Sequence, residues 1–377
     1  MKRAGNLTYQ IADTDNLLLA FNKAIRGKRK NCDALAFQNR LEENIVSMRD
    51  EILSGNVAVG KYEYFYIEDP KRRLICAASF RERVLHHAVM NVCHPYFERN
   101  LIETTYATRP DKGIYKAIDR ARIAMKRYCY VAKFDFRKYF DSIDHTILKQ
   151  KLSRLFKDKT LLALFTAIID SYSKSENKGI PIGNLTSQYF ANYYLSEMDH
   201  WIKESLHAPE YLRYMDDFLV FANSRSELDY YISQIKSFAS QQLNLTLKPV
   251  IVSSSLQGID FLGYRLYDNK ILLTQRSKQR FLKKSRLYSG LLENEIWDEK
   301  TYYEHITPLL AYVEKAYTKG LRKQFIRHEP QARTASFAVV AGTTTPRTAA
   351  LPIGTTTLPT TATTTTTASA LSSISLV

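Results

Sequence analysis

Asp135 and the adjacent pair Asp216-Asp217 are the residues whose types and spacing point most directly to chemistry. Asp135 closes a short apolar run, Val131-Ala132-Lys133-Phe134-Asp135, that reads as a strand. Asp216-Asp217 sit between Leu212-Arg213-Tyr214-Met215 and Phe218-Leu219-Val220-Phe221, which read as the two arms of a hairpin. A separation of about 80 residues is compatible with adjacent strands of one antiparallel sheet, where the three carboxylates converge. Hard oxygen ligands on rigid strands suit Mg²⁺. Two such ions about 4 Å apart activate a primer 3′-hydroxyl and stabilise a leaving pyrophosphate. An Asp-Asp pair at a hairpin tip is also ordinary turn chemistry, so the surrounding elements have to decide.

The 377 residues are enough for two or three packed subdomains and exclude a small disulfide-stapled module. With 54 Lys plus Arg against 38 Asp plus Glu, the net charge is +16, which favours a polyanionic partner, nucleic acid first. Aromatic rings among basic side chains stack bases while the charges hold phosphates, although most of the 25 Tyr and 18 Phe belong to the core. Cys32, Cys76, Cys93 and Cys129 form no CxxC pair, so neither a zinc ribbon nor a disulfide framework is expected, and a reduced cytosolic protein fits. His86, His87, His94 and His145 show no metal-ligand spacing with them. No apolar segment follows the N-terminus and no membrane-length apolar run occurs, so the expectation is a chain neither secreted nor membrane-spanning.

The elements that must position the acids follow from periodicity. Residues 12–54 carry helical spacing ending near Gly55. Tyr62 to Ile67 and Arg73 to Ala77 read as a hairpin, broken by Asp69-Pro70, before a helix from Phe80 to about Phe97. Helical patterns cover Thr146 to Tyr172, Gly179 to Gly183 is a break, and Thr186 to Leu206 reads as one long helix. Beyond the acid hairpin lie a helix from Ser226 to Leu243, the segment Thr246-Leu247-Lys248, a strand region from Ile259 to Leu266 and a basic helical region from 273 to 328. Strand, helix, hairpin, helix and strand around acids indicate an α+β fold. From Gln331 the composition turns to Thr, Ala, Ser and Leu, with no charge after Arg347, which predicts disorder.

Tyr214-Met215-Asp216-Asp217 resembles the YxDD box of reverse transcriptases, and Phe134-Asp135-Phe136-Arg137-Lys138-Tyr139-Phe140-Asp141-Ser142-Ile143 resembles the motif that precedes it. Lys71-Arg72-Arg73-Leu74-Ile75, Arg81-Glu82-Arg83-Val84, Arg109-Pro110-Asp111-Lys112-Gly113 and Phe261-Leu262-Gly263-Tyr264 extend the resemblance in order, from Gly60 to roughly Phe325. It implies a right-hand polymerase: an N-terminal basic helical extension (1–55), fingers (56–125), an antiparallel-sheet palm (126–268, with finger helices 146–180 inserted), a helical thumb (269–328) and a disordered C-terminal tail (329–377).

Carried over by position, Asp135 and Asp216 are the principal ligands of two Mg²⁺ ions, with Asp217 a weaker third and the Phe136 carbonyl an extra ligand. Lys71, Arg72 and above all Arg73 meet the triphosphate, or are solvated hairpin charges. Phe140 is the steric gate that excludes a ribose 2′-hydroxyl, or a core ring beside Tyr139. Lys248 stands where the family carries a general acid, or is a surface lysine. Arg83, Arg109, Ser187, Gln188, Tyr214 and Met215 are expected at nucleic acid, and Phe261, Leu262, Gly263 and Tyr264 at the primer.

In Gly179-Ile180-Pro181-Ile182-Gly183-Asn184-Leu185-Thr186-Ser187-Gln188, Ile182 replaces the Gln of the usual Gln-Gly pair, a form that resembles the reverse transcriptases of diversity-generating retroelements. Gln hydrogen-bonds a nucleotide sugar and Ile offers only shape, so Ile182 and Gly183 are expected at the nucleotide, Ile182 lowering fidelity. The implied activity copies a template-repeat RNA into adenine-mutagenised cDNA. The implied partner is a small basic helical accessory protein that forms a pentamer. Thr runs from Thr343 onward arise when AAC codons are read one base late, which makes the tail a candidate template repeat in another frame, or else a Thr-rich linker. Alternatives are a retron-like or phage-defence enzyme and a catalytically silent RNA-binding palm; a pure binder gains nothing from clustered acids facing a polyanion.

Overall fold

The computed structural model describes residues 3–29, 31–68 and 72–326. The expected disordered tail and its Thr runs lie outside the described residues, as does Lys71.

The N-terminal basic piece forms four helices, α1 (Thr8–Ile11), α2 (Thr14–Ala24), α3 (Cys32–Asn39) and α4 (Leu41–Ser54). Asp13 caps α2 by accepting from Asp15 N and Asn16 N, and α4 stops at Gly55, whose φ of 76° any side chain would resist. A hairpin of β1 (Tyr62–Ile67) and β2 (Arg73–Ala78) follows, then α5 (Phe80–Glu98), capped by Ser79. Helix α2 lies on α5, tied by Asn16 Nδ2 donating to the Ala88 carbonyl at 3.1 Å. The next helix, α6 (Ile114–Arg127), was missed by sequence reasoning, although Ile114, Ala117, Ile118, Ala121 and Met125 fall on one helical face.

Then come β3 (Tyr130–Asp135), the single turn α7 (Tyr139–Ser142), α8 (His145–Leu155) and α9 (Lys159–Asp170). The expected long helix over 186–206 is broken into α10 (Leu185–Tyr194), α11 (Ser196–His200) and a wide π turn, Trp201–Ser205. At the first break the Ser196 hydroxyl donates to the Tyr193 carbonyl at 2.7 Å, competing with the helical ladder for that acceptor.

Strands β4 (Glu210–Tyr214) and β5 (Asp217–Ala222), helix α12 (Arg225–Leu243) and β6 (Ile251–Ser254) complete a four-stranded antiparallel sheet of order β4-β5-β3-β6. Thr246-Leu247-Lys248 is not a strand of this sheet. Its main chain meets the end of β3 at a Phe136–Leu247 bridge, and pairing with β3 resumes at Ile251, past Pro249, which has no N–H to donate. A three-stranded sheet of β7 (Ile259–Phe261), β8 (Tyr264–Leu266) and β9 (Ile271–Leu273) leads to helices α13 (Gln275–Glu293) and α14 (Glu299–Glu314). A second compact unit begins at Lys319 with α15 (Lys319–Ile326).

The main sheet has an apolar cluster on each face, as period-2 alternation requires. Ala132, Phe134, Phe218 and Val220 join the larger core with α10 and α12, while Val131, Leu212, Leu219 and Phe221 join a second core with α6, β7 and β8. Phe134 and Phe218 stack at 4.7 Å just inside the acid-bearing edge. Such a pair contributes about 1 kcal/mol beyond its buried area. Among the described residues no helix is long and apolar enough to cross a membrane.

Candidate active site

Asp135 is the last residue of β3 and pairs directly with Asp217, the first of β5. Directly opposed residues project from the same face of a sheet, so the two carboxylates share one side, at the open end of the second core. Met215 and Asp216 form the two-residue loop between β4 and β5, with Tyr214 and Asp217 as the closing pair. Met215 has a φ of +56°. The left-handed region costs a non-glycine residue about 1–2 kcal/mol, and it matches the right-handed twist of the strands.

Two lysines share the acids' charge. Lys248 Nζ donates to Asp135 Oδ2 at 2.6 Å, and the Lys248 N–H donates to the Asp135 carbonyl at 2.8 Å. Lys133, two residues before Asp135 and therefore on the same face, places Nζ 3.1 Å from Asp217 Oδ2. Burial raises the pKa of Asp216, with Asp135 adding to the rise and Lys248 and Arg73 opposing it. Burial also raises Asp217, against Lys133, with Asp216 and Asp135 adding to the rise.

These residues fit a hard divalent cation by chemistry. Asp135 Oδ1 and Asp217 Oδ1 are buried without a hydrogen-bond partner, and burial and mutual repulsion of the carboxylates outweigh the nearby cations. They are not drawn onto a common centre. Among the described residues no three His, Cys, Asp or Glu side chains close around a metal position. One oxygen each of Asp135 and Asp217 is turned instead to a lysine.

The segment after the Gly179 break presses on the β1–β2 hairpin. The Cys76 N–H donates to the Ile182 carbonyl at 2.8 Å and the Ala78 N–H to Asn184 Oδ1 at 3.1 Å. Gly183 is required here, since its φ is +119° and a Cβ would stand 2.8 Å from Ile75 Cγ2. The Ile182 side chain is half-buried, and just beyond it Asn184 Nδ2 and Thr186 Oγ1 are buried without partners. Phe140 adjoins this segment: its carbonyl accepts from Ile180 N at 2.9 Å and its half-exposed ring meets Tyr139 edge-on at 5.7 Å. Arg73, exposed at the start of β2, is near enough for its charge to act on Asp216. Arg72 stacks over the exposed Tyr66 ring at 4.2 Å.

Asp135, Asp216, Asp217, Lys248 and Arg73 are thus brought together, whereas several other candidates for nucleic-acid contact are buried or bonded within the protein. Arg109 is 7% exposed, with Nη1 donating to the Ile102 and Thr105 carbonyls and Nε to Glu98, so its guanidinium holds the protein's own loop. Phe261 and Tyr264 are core residues of β7 and β8, and the Tyr264 hydroxyl donates to the Tyr312 carbonyl at 2.7 Å. Only Leu262-Gly263, the turn between them, remains half-open. Ser187 is buried, Gln188 and Tyr214 are half-buried, and Arg83 Nε donates to the Ala78 carbonyl at 2.8 Å. Two participants were missed. Lys133 was findable from strand alternation. Arg213, fully buried against Asp199, carried no such signal.

A sheet edge bearing paired carboxylates, beside a cationic hairpin, is the site of a nucleotidyl-transfer fold. Residues 68–266 match the model of the reverse transcriptase (RNA-dependent DNA polymerase) family, so the chain belongs to that family and is an RNA-directed DNA polymerase in class. It is 22% identical to Protein YkfC of Escherichia coli over 276 residues, covering 61% of this chain and 72% of that one. It is 20% identical to the group II intron-encoded protein LtrA of Lactococcus lactis over 326 residues, covering 67% of this chain and 54% of that one. Among solved structures, telomerase from Candida tropicalis in complex with a TWJ fragment of telomeric RNA superposes with a TM-score of 0.46 at 12% identity, over 78% of this chain and 58% of that one.

Proposed function

We propose that this chain copies a template-repeat RNA into error-prone cDNA, with mutations at adenines, for diversification of a target gene. The observation that carries the reading is Ile182, clipped to β2 by its carbonyl and offering no side-chain hydrogen bond to a nucleotide. The division into an extension (1–55), fingers (56–125), palm (126–268), thumb (269–328) and tail (329–377) belongs to the same proposal.

Asp135, Asp216 and Asp217, with the Phe136 carbonyl, hold Mg²⁺. Bound there, Mg²⁺ supplies charge neutralisation for the attacking 3′-oxygen and the leaving pyrophosphate. Arg73 and Arg72 take up triphosphate charge and Phe140 closes the space of a 2′-hydroxyl. The primer 3′-hydroxyl releases its proton to water as its oxygen bonds to the α-phosphorus and the bond to pyrophosphate breaks. Lys248, released from Asp135, gives its proton to that leaving group.

Lys23 of α2, Arg26 of the turn after it, and Arg83 and His87 of α5 support a polyanionic partner. Burial first, and then the charges of Lys23, Arg26 and Arg83, together lower the His87 pKa to about 4. Among the described residues none of the four is ion-paired to a carboxylate; Lys23 Nζ rests on Asn91 Oδ1 at 2.5 Å. Template RNA fits such a surface. The reading also includes the pentameric accessory protein.

Primer extension on a defined RNA, with and without that accessory protein, followed by sequencing of the cDNA, tests the reading. The expected result is errors concentrated opposite template adenines that fall in an Ile182→Gln variant. Faithful cDNA from the parent chain would remove the diversity-generating assignment and leave the polymerase.

A further inference from the structure

Arg213 lies in β4, two residues before Met215, and neither its side chain nor that of Asp199 reaches solvent. Its Nε donates to Asp199 Oδ1 at 2.7 Å and its Nη2 to Asp199 Oδ2 at 2.5 Å. The other side of the guanidinium faces the turn and α10: Nη1 donates to the Met215 carbonyl at 2.9 Å and to Asn192 Oδ1 at 2.8 Å, and Nη2 donates to the Asn192 carbonyl at 3.1 Å. Tyr211 and Thr105 donate to the remaining lone pairs of Asp199 at 2.6 and 3.2 Å. Every polar atom of the pair is therefore engaged.

A buried ion pair of this kind is a poor stabiliser, because apolar residues of similar volume commonly do as well. Apolar residues cannot fix a carbonyl. The carbonyl fixed here belongs to Met215, the residue held at positive φ immediately before Asp216. A planar, always-charged fork with donors on two edges spans Asp199 and the turn at once, which a lysine ammonium does not.

We propose that Arg213 is a positioning residue for the acid-bearing turn: it fixes the Met215 carbonyl, and with it the placement of Asp216, while Asp199 and Asn192 hold the guanidinium in place. Through Asn192 the same group keeps α10, and the Ile182-Gly183 segment that leads into it, at a set spacing from the acids. Only the kinetic half of the test rests on the polymerase reading.

Two variants separate positioning from mere stability. Arg213→Lys keeps a cation opposite Asp199, and Arg213→Met combined with Asp199→Leu removes both charges together. In each, kcat for primer extension is expected to fall about 100-fold, the loss typical of a small misplacement, with KM for the dNTP changed less than about threefold. Hydrogen exchange at the amides of 215–217 is expected to accelerate about tenfold or more while β3 and the rest of β5 exchange as in the parent. Parental kcat and parental exchange at the turn in Arg213→Lys would overturn the proposal. So would acceleration spread through β3, β5 and α10, or failure of both variants to fold, each of which makes the pair a stability element. A parent chain that extends no primer fails the polymerase reading, and exchange at the turn still decides this one.

Discussion

Asp135 and Asp217 face each other directly across the β3–β5 ladder, yet each carboxylate is bonded to a different lysine, Lys248 from beyond α12 and Lys133 from within β3. The lysines occupy oxygens that a divalent cation also needs. In Lys133→Met, Asp217 loses its compensating charge, so melting in EDTA is expected to drop by several degrees and to recover on adding Mg²⁺. An equal drop with and without Mg²⁺ would show that Lys133 acts only by packing.

Asp216 is crowded by Asp135 and lies in a loop rather than in the ladder. Asp216→Asn therefore removes repulsion without removing a backbone contact. Primer extension is expected to fall by about 10³-fold or more, with a melting temperature equal to or above that of the parent. A stable variant with activity within tenfold of the parent would strip Asp216 of its assigned role.

Gly183 and Gly27 both hold positive φ, but only Gly183 has a neighbour where a side chain would go. Gly27→Ala is expected to cost about 1 kcal/mol and Gly183→Ala roughly 2–4 kcal/mol, because the added methyl must also displace Ile75. Urea midpoints of the two variants, compared at equal m, check the difference.

Burial and three nearby cations push the His87 pKa down to about 4 from an ordinary 6.5. The unfolded chain takes up a proton near pH 6.5 that the native state refuses until about pH 4, so this group's contribution to stability is full above 6.5 and is lost as pH falls toward 4. His87→Gln should flatten the fall in the urea midpoint over that window. An unchanged slope would mean that His87 protonates without disturbing α2 and α5.

Lys23 and Arg26, if they meet phosphates, release counterions when RNA binds. Lys23→Ala with Arg26→Ala is expected to weaken binding to unrelated RNA sequences alike and to reduce the slope of log K against log salt by about 1–2. Affinity measured by fluorescence anisotropy between 50 and 200 mM salt checks this, and an unchanged slope would remove the patch from the RNA path.

Short apolar runs that end in acids placed Asp135 and the Asp216-Asp217 hairpin, because strands buried on both faces read as near-continuous apolar segments. Side-chain alternation along β3 then yields Lys133, two residues before Asp135. It also warns that Phe261 and Tyr264, paired across β7 and β8, point into a core rather than toward a primer. The burial of Arg213 left no local trace. It depends on partners in other elements, Asp199 on one side and the β4–β5 turn on the other, and a charge in an apolar strand looks the same whether its partner is water or a buried acid. Arg109 misled for the converse reason: its motif neighbourhood pointed outward while Glu98 and two carbonyls drew the guanidinium in.

The β2 hairpin and the Ile182-Gly183-Asn184 segment share one main-chain hydrogen bond, from Cys76 N–H to the Ile182 carbonyl, and one from Ala78 N–H to the Asn184 side chain, and the glycine leaves no gap between them. Ile182 and the strand that opens at Arg73 are thus fastened partly through main chain, which a change of the Ile182 side chain leaves in place. A shift of one carries the other with it. On the proposed reading, position 182 is therefore a place where what a nucleotide meets can change while the spacing of the frame is kept.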